Sequence, residues 1–396
     1  MENTTASNDE KVDKNEYKST TFSYHVSYIK GLDHAGLVCK SLKSKKMEEL
    51  VKKNGEVLQR GKYCVTGSTG YIGSWLVEAL LQRGFTVHAT VRDPAKSLHL
   101  LSLWKGGDQL RFFKADLNEE GSFDEAVKGC VGVFHVAASM EFNVSEKENN
   151  EVFVQENIID PAIKGTINLL KSCLKSNSVK RVVFTSSIST VTARDSNGNW
   201  KPMVDESCQI QPKNVLNTQA SGWVYALSKL LTEDAAFQFA KDNGIDLVSI
   251  ITSTVAGPFF TASVPKSVKV LLSPLTGETE YFKILSAVNA RMGSIALVHI
   301  EDICRAHMFL MEHAKAEGRY ICSSQSCTLS NLTTLISRVY SCSNICMKVE
   351  KVYDKVLSDI SSKKLEDLGF SYKHGLEDII YQTVTCCLDY SYLPPV

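Results

Sequence analysis

No excess of charge of either sign marks this sequence. Its 396 residues carry 44 Lys and Arg against 44 Asp and Glu. No long-range field therefore gathers nucleic acid or an anionic membrane surface, which excludes polyanion binding as a main role. No apolar run approaches the ~20 residues of a membrane-spanning helix. Metal-site spacing is missing as well: the twelve Cys, among them Cys322 and Cys327, Cys342 and Cys346, and the adjacent Cys386 and Cys387, form no CxxC pair and sit in no His cluster. No secretory leader is recognised, so the cysteines are expected as reduced thiols and the protein in the cytosol. Apolar residues make up 43% of the chain and charged residues 22%. That excludes a disordered or disulfide-stapled chain and leaves room for roughly two or three domain-sized units.

Residues 1–60 are polar and lack sustained periodicity, so they are expected to form a disordered leader. Acidic Glu2, Asp9, Glu10, Asp13 and Glu16 argue against a transit peptide, and Glu48, Glu49 and Glu56 dilute the Lys40–Lys53 basic run into a solvated face. Met47 lies shortly before the first strand, and the segment preceding it is expected to be dispensable. From Lys62 onward, short apolar runs at 62–66, 86–91, 110–113, 131–136, 181–185 and 246–252 predict strands, several buried on both faces. Helical spacing at 71–83, 123–128, 161–174 and 222–242 fills the gaps, with Pro161 suited to a first helical position. Alternation of this kind predicts an α/β fold, a Rossmann-type doubly wound parallel sheet over 61–256. Beyond Gly257 and Pro258 the alternation fades. Residues 257–396 are expected to form a smaller mixed substrate lobe, with a helix near 302–312 and some return to the core.

The first strand runs into Thr66-Gly67-Ser68-Thr69-Gly70-Tyr71-Ile72-Gly73, and a helix follows. Gly67 permits a tight turn, Gly70 lets backbone approach a pyrophosphate, and Gly73 lets helix pack on strand, while helix N–H groups face the anion. Strand before, helix after and a second strand at the right distance make this a dinucleotide-binding turn. The second strand ends at Arg92-Asp93, where an NAD site places an acid for the ribose hydroxyls. Arg92 comes first and Lys96 lies nearby, which suits the 2′-phosphate of NADP(H); the alternative is a solvated Arg92 with Asp93 turned inward for NAD. Asp116, with the Leu117 backbone beside it, suits an adenine amine or, alternatively, a helix cap.

Tyr225 and Lys229 lie four residues apart on a predicted helix and so share a face. An ammonium there would stabilise phenolate and pull the Tyr225 pKa toward the working range for proton donation. The fifth predicted strand ends at Ser186-Ser187, on the sheet edge where doubly wound folds place ligands. Ser187 is expected to orient a substrate carbonyl and share a proton with Tyr225; the alternative is backbone satisfaction at a strand end.

Together these residues resemble the extended short-chain dehydrogenase/reductase superfamily. Thr66–Trp75 (TGSTGYIGSW), 90–94 (TVRDP), 121–125 (GSFDE), 132–137 (GVFHVA), 182–187 (VVFTSS), 257–259 (GPF), 317–323 (EGRYICS) and 361–365 (SSKKL) are similar to the plant flavonoid reductases of the dihydroflavonol 4-reductase and anthocyanidin reductase group. The stretch 292–307 (MGSIALVHIEDICRAH) is closer to the anthocyanidin reductase form. The resemblance implies an NADPH-dependent reduction of a flavonoid-like aromatic substrate, with Ser187, Tyr225 and Lys229 as catalytic triad. It implies Arg92 and Lys96 on the NADPH phosphate, Asp116 and Leu117 on adenine, and Val136, Ala137, Ala138 and Ser139 along the ribose. On the substrate side it implies Thr192 and Trp223 beside Ser187 and Tyr225, with Trp223 as an aromatic wall or, alternatively, core packing. Thr192 stands where dihydroflavonol reductases carry Asn, and Thr252 replaces a usual Pro; the Asn-Trp-Tyr-Cys-Tyr motif of cinnamoyl-CoA reductases is absent. Two rivals remain: an NADP(H) sensor without turnover, and sugar-nucleotide epimerisation, against which the apolar stretch 257–275 speaks. The sequence leaves the oligomeric state open, a monomer included.

Overall fold

A computed structural model of the chain describes residues 61–97, 104, 107–138, 150–340 and 358–395. The expected leader and Met47 lie outside the described residues. Among the described residues, twelve strands follow in chain order: β1 (Lys62–Thr66), β2 (Thr86–Val91), β3 (Leu110–Lys114), β4 (Gly132–His135), β5 (Arg181–Ser187), β6 (Met203–Val204), β7 (Leu247–Thr252), β8 (Thr254–Ala256), β9 (Ile295–His299), β10 (Gly318–Cys322), β11 (Gln325–Cys327) and β12 (Asp359–Ile360). Seven of them form one parallel sheet in the order β10-β7-β5-β4-β1-β2-β3. The order reverses between β1 and β4, which opens a crevice at their carboxyl ends.

Period-two alternation explains why these strands read as continuous apolar runs. Val65, Phe134, Val183 and Val248 point into one core, with Leu76, Val77 and Leu80 of the Tyr71–Gln82 helix and Ile303 and Leu310 of the Ile300–Glu312 helix. Their neighbours Cys64, Val133 and Val182 point to the other face, against Leu169, Leu170 and Cys173 of the Asp160–Ser176 helix and Ala236 and Ala240 of the Trp223–Asn243 helix. A strand with both faces covered has no polar side to show.

One element differs from the expectation. Pro161 does not open its helix: a helical run begins at Glu151, capped by the Asn150 side chain, and passes through a π turn at Gln155–Ile159 before Asp160. A widened turn ahead of the proline accommodates its missing N–H, so the helix continues through it. The edge strand β10 lies beyond the predicted alternation and pairs with β7.

After Ala256 the chain builds a second core from the helices Lys266–Thr276, Thr279–Met292, Leu329–Tyr340 and Leu376–Asp389, with β8, β9 and β11 as a small mixed sheet. The Tyr71 hydroxyl donates to the Gly257 carbonyl at 2.9 Å, and Trp75 Nε1 donates to that of Pro258 at 3.1 Å. Trp75 also stacks on Phe260 at 4.7 Å between centroids. The helix that starts at the glycine turn therefore also anchors the lobe. Among the described residues, no helix is long and apolar enough to cross a membrane.

Candidate active site

The glycine turn is built for close approach. Gly67 adopts φ +64°, and a Cβ there would lie 2.9 Å from Ala137 Cα, so the loops after β1 and β4 touch at the crevice. The Gly70 N–H closes the turn on the Gly67 carbonyl at 2.9 Å. A Cβ on Gly73 would lie 2.2 Å from the Gly67 carbonyl oxygen, which is why the helix can start flush against the turn. Gly70 itself is exposed, and a Cβ on it would meet only the Gly67 oxygen, at 3.2 Å, leaving an open cradle at the helix start.

Three residues of the expected cofactor turn have their side chains directed elsewhere. The Ser68 hydroxyl is fully buried and donates to the Thr90 carbonyl at 2.9 Å, tying the turn to β2. The Tyr71 side chain faces the lobe, and Ile72 packs into the core beside the first helix. The side chains of Ser68, Tyr71 and Ile72 are thus engaged within the protein, which leaves their backbone to face the crevice, while Thr69 stays half-buried in the turn.

Beyond β2, Arg92 is exposed and makes no hydrogen bond or ion pair to any described residue. Asp93 is committed: its carboxylate accepts the Ala95 N–H at 3.0 Å, capping the short turn Pro94–Ser97. One carboxylate oxygen is thus used locally, while Arg92 has no partner among the described residues. The Lys96 side chain and all of Ser139 lie outside the described residues. Asp116 is half-buried, and its Oδ1 accepts the Asn118 N–H at 2.9 Å, the local capping alternative. The Leu117 carbonyl accepts from Asn168 Nδ2 at 2.9 Å, and its side chain covers Gly165. Val136 and Ala137 are half-buried and Ala138 exposed along the crevice.

Sequence reasoning missed what fixes that loop. Thr66 Oγ1 accepts the N–H groups of Val136 at 3.1 Å and Ala137 at 3.0 Å. With its acceptor capacity filled, its hydrogen goes to His135 Nδ1 at 3.0 Å, so His135 Nε2 carries the ring proton and donates to Thr166 Oγ1 at 3.0 Å. Burial, aided by the Lys229 charge, pushes His135 down to about 3, so it stays neutral. Polar residues at the ends of two adjacent apolar strands were the available signal.

The proton chemistry sits on the next strand. Ser187 ends β5, is 7% exposed, and hydrogen-bonds Tyr225 of the Trp223–Asn243 helix. Its Oγ also accepts the Ser189 N–H at 3.2 Å, which fixes the rotamer. Lys229, one turn beyond Tyr225, is 7% exposed, donates to the Thr185 carbonyl at 2.6 Å, and lies 5.1 Å from the Phe184 ring centroid. Burial raises the Tyr225 phenol above its ordinary range, with the Ser187 hydrogen bond opposing it. Burial likewise pushes Lys229 down to about 8, with Glu233 opposing. The expected pull of Lys229 on Tyr225 is thus corrected: in this structure desolvation dominates both groups, and the ammonium is engaged on the strand end.

Ser187, Tyr225 and Lys229 come together; Trp223 does not join them. Two helical residues span about 200°, so its ring lies on the face opposite Tyr225. There it is 6% exposed and packs with Ile158, Val215 and Leu227, beside a groove of about 360 Å³. Its substrate role is corrected to core packing. Thr192 is half-buried, its Oγ1 accepting the Arg194 N–H at 3.3 Å, and Thr252 pairs with Ser187 in register, its hydroxyl donating to the Ser186 carbonyl at 3.3 Å.

Residues 63–322 match the NAD dependent epimerase/dehydratase family. The chain belongs to that family. Within the epimerase/dehydratase family it is 44% identical over 324 residues to a Ginkgo biloba protein named "Putative anthocyanidin reductase", covering 81% of this chain and 92% of that one. It is 41% identical over 342 residues to dihydroflavonol 4-reductase of Arabidopsis thaliana, covering 85% of each. Among solved structures, vestitone reductase from alfalfa superposes with a TM-score of 0.70 at 32% identity, over 84% of this chain and all of the other.

Proposed function

We propose that this chain is an NADPH-dependent reductase of a flavonoid-type substrate, with an anthocyanidin as first choice and a dihydroflavonol as the alternative. One observation carries the reading: a Ser–Tyr hydrogen bond with a lysine one turn along, at the carboxyl edge of the sheet beside a glycine turn. The similarity to anthocyanidin and dihydroflavonol reductases over most of the chain supports the substrate class. Residues present fit the cofactor: Gly67, Gly70 and Gly73 leave an open cradle at a helix start, and Arg92 is an exposed cation just after β2 while Asp93 Oδ1 caps the next turn. When bound, NADPH supplies the hydride.

The chain's own groups handle the proton. Ser187 positions the substrate oxygen, and Tyr225 holds the proton to be donated to it. Lys229 keeps a positive charge beside the phenol as negative charge develops, an interaction worth most in a buried site. It also offers the ammonium that would hydrogen-bond the nicotinamide ribose. The intact Ser187, Tyr225 and Lys229 set favours turnover over a sensor role. The test is nicotinamide absorbance with NADPH and a panel of anthocyanidins and dihydroflavonols. Tyr225→Phe should bind NADPH as the parent does while turnover falls by at least ~100-fold; full activity in that variant refutes the mechanism.

A further inference from the structure

Behind the Ser187, Tyr225 and Lys229 cluster lies a carboxylate to which no role has yet been given. Glu233 is one turn beyond Lys229 on the same helix and is 1% exposed. A buried carboxylate persists only where hydrogen bonds and opposite charge offset its lost hydration. Both oxygens are engaged by other elements. Ser249 Oγ of β7 donates to Oε1 at 2.5 Å, and Arg319 Nη2 of β10 donates to Oε2 at 3.1 Å. The same Nη2 also donates to Thr190 Oγ1 at 3.0 Å, while Nη1 donates to the Glu206 carbonyl at 3.0 Å. Thr190 Oγ1 in turn donates to the Ser187 carbonyl at 2.9 Å. One ion pair therefore reaches both the strand end that carries Ser187 and the helix turn that carries Lys229.

We propose that Glu233 and Arg319 are positioning residues for this site. Glu233 keeps Lys229 charged in a buried place, and Arg319, through Thr190, holds the Ser187 strand end in register with Tyr225. The proposal rests on the reading of Tyr225 and Lys229 given above. The titratable groups around Lys229 are Tyr225 and Glu233 on its own helix and His135 on β4. His135 and Tyr225 are both held neutral near pH 7, the first by a lowered and the second by a raised pKa. Glu233 alone opposes the burial that drives Lys229 down. Arg319, Thr190 and Glu233 touch no reacting atom, so their effects act through Lys229 and Ser187.

The experiment uses the full chain, NADPH, and whichever of an anthocyanidin (cyanidin) or a dihydroflavonol (dihydroquercetin) the parent turns over, with kcat/KM followed against pH. Removing an opposite charge at this range lowers an ammonium's pKa by ~1–3 units. Glu233→Gln should therefore move the alkaline limb down by at least about one unit. A merely structural carboxylate would reduce the active fraction and leave the limb where it is, and that result overturns the proposal. Should Glu233→Gln fail to fold because Arg319 is left unpaired, the neutral pair Glu233→Gln with Arg319→Met removes both charges; losing the Arg319 cation offsets part of the effect, so the limb must still move down, by less, and an unmoved limb overturns the proposal. On the other branch, Thr190→Val should lower kcat by at least ~10-fold with NADPH affinity unchanged, and Thr190→Ser should restore it. Parental kcat in Thr190→Val overturns the Arg319 branch. Tyr225→Phe on the same substrate reads the underlying assignment by itself: if it is inactive while Glu233→Gln leaves the limb unmoved, only the positioning proposal falls.

Discussion

Lys229→Met separates what the site needs from what the fold prefers. The lysine is 7% exposed and its ammonium is pushed down to about 8 by burial, against the attraction of Glu233. In an unfolded chain a lysine titrates near ~10.4. Below about 8 both states hold the proton, and the full penalty of the buried charge is felt. Between the two values the unfolded chain binds more protons than the folded one, so this group makes stability rise with pH through that window. At ~1.4 kcal/mol per unit, the buried ammonium costs roughly 3 kcal/mol at pH 7 and roughly 1 kcal/mol at pH 9.5. Methionine fills a similar volume without the charge, but it leaves the Thr185 carbonyl without the donor it has at 2.6 Å. That loss, ~1–3 kcal/mol, does not titrate. The variant should therefore be between equal to the parent and ~2 kcal/mol more stable at pH 7, and the gap should move by ~2 kcal/mol in the parent's favour by pH 9.5. Urea unfolding of both proteins at the two pH values measures the gap, and turnover with NADPH should fall at least ~100-fold at pH 7, where the parent's Lys229 is charged. A gap that stays constant with pH would refute the claim that burial is what depresses Lys229.

Arg92→Ala should weaken NADPH by ~10–100-fold, the worth of charge-assisted hydrogen bonds to one phosphate, and NADH by less than ~3-fold. Fluorescence titration with both nucleotides decides it, and equal losses mean that Arg92 does not read the 2′-phosphate. Gly73→Ala would press a methyl to 2.2 Å from the Gly67 carbonyl oxygen, a backbone atom with no room to yield. It should lower stability by ~1–3 kcal/mol and weaken NADPH by at least ~10-fold, checked by melting and titration. Trp223→Ala should cost ~3–5 kcal/mol of stability through the cavity it leaves, yet change substrate KM less than ~2-fold in the folded enzyme. A large KM effect with little loss of stability would return Trp223 to the substrate wall.

The parallel sheet was legible because strands buried on both faces read as apolar runs, and Cys64-Val65, Val133-Phe134 and Val182-Val183 each feed two cores. The glycine turn was legible for a related reason: each glycine answers a separate backbone demand at Gly67, Gly70 and Gly73. The start of the helical run around Pro161 was not. A proline is read as a boundary because it lacks a donor, and the π turn ahead of it supplies a local geometry in which that lack does not end the helix. Trp223 was misread because two residues are close in sequence but about 200° apart on a helix.

Electrostatics of the site were the least legible part, and the reason lies in β10. On sequence alone Glu233 is one acid among Glu233, Asp234 and Asp242 in the later part of its helix. Nothing marks it as buried until its partner is known. That partner, Arg319, belongs to a strand that opens Gly-Arg and lies beyond the region where strands and helices alternate, so neither half of the pair points to the other. Once β10 joins β7, both the burial of Glu233 and its lack of access to solvent follow from topology. The expected downward pull of Lys229 on Tyr225 failed for the same reason. A helical spacing of four fixes which side chains share a face, but the sign of the shift depends on how much water the neighbouring strands exclude. With β5 and β7 packed against that face, burial outweighs the pairwise attraction and raises the Tyr225 phenol rather than lowering it.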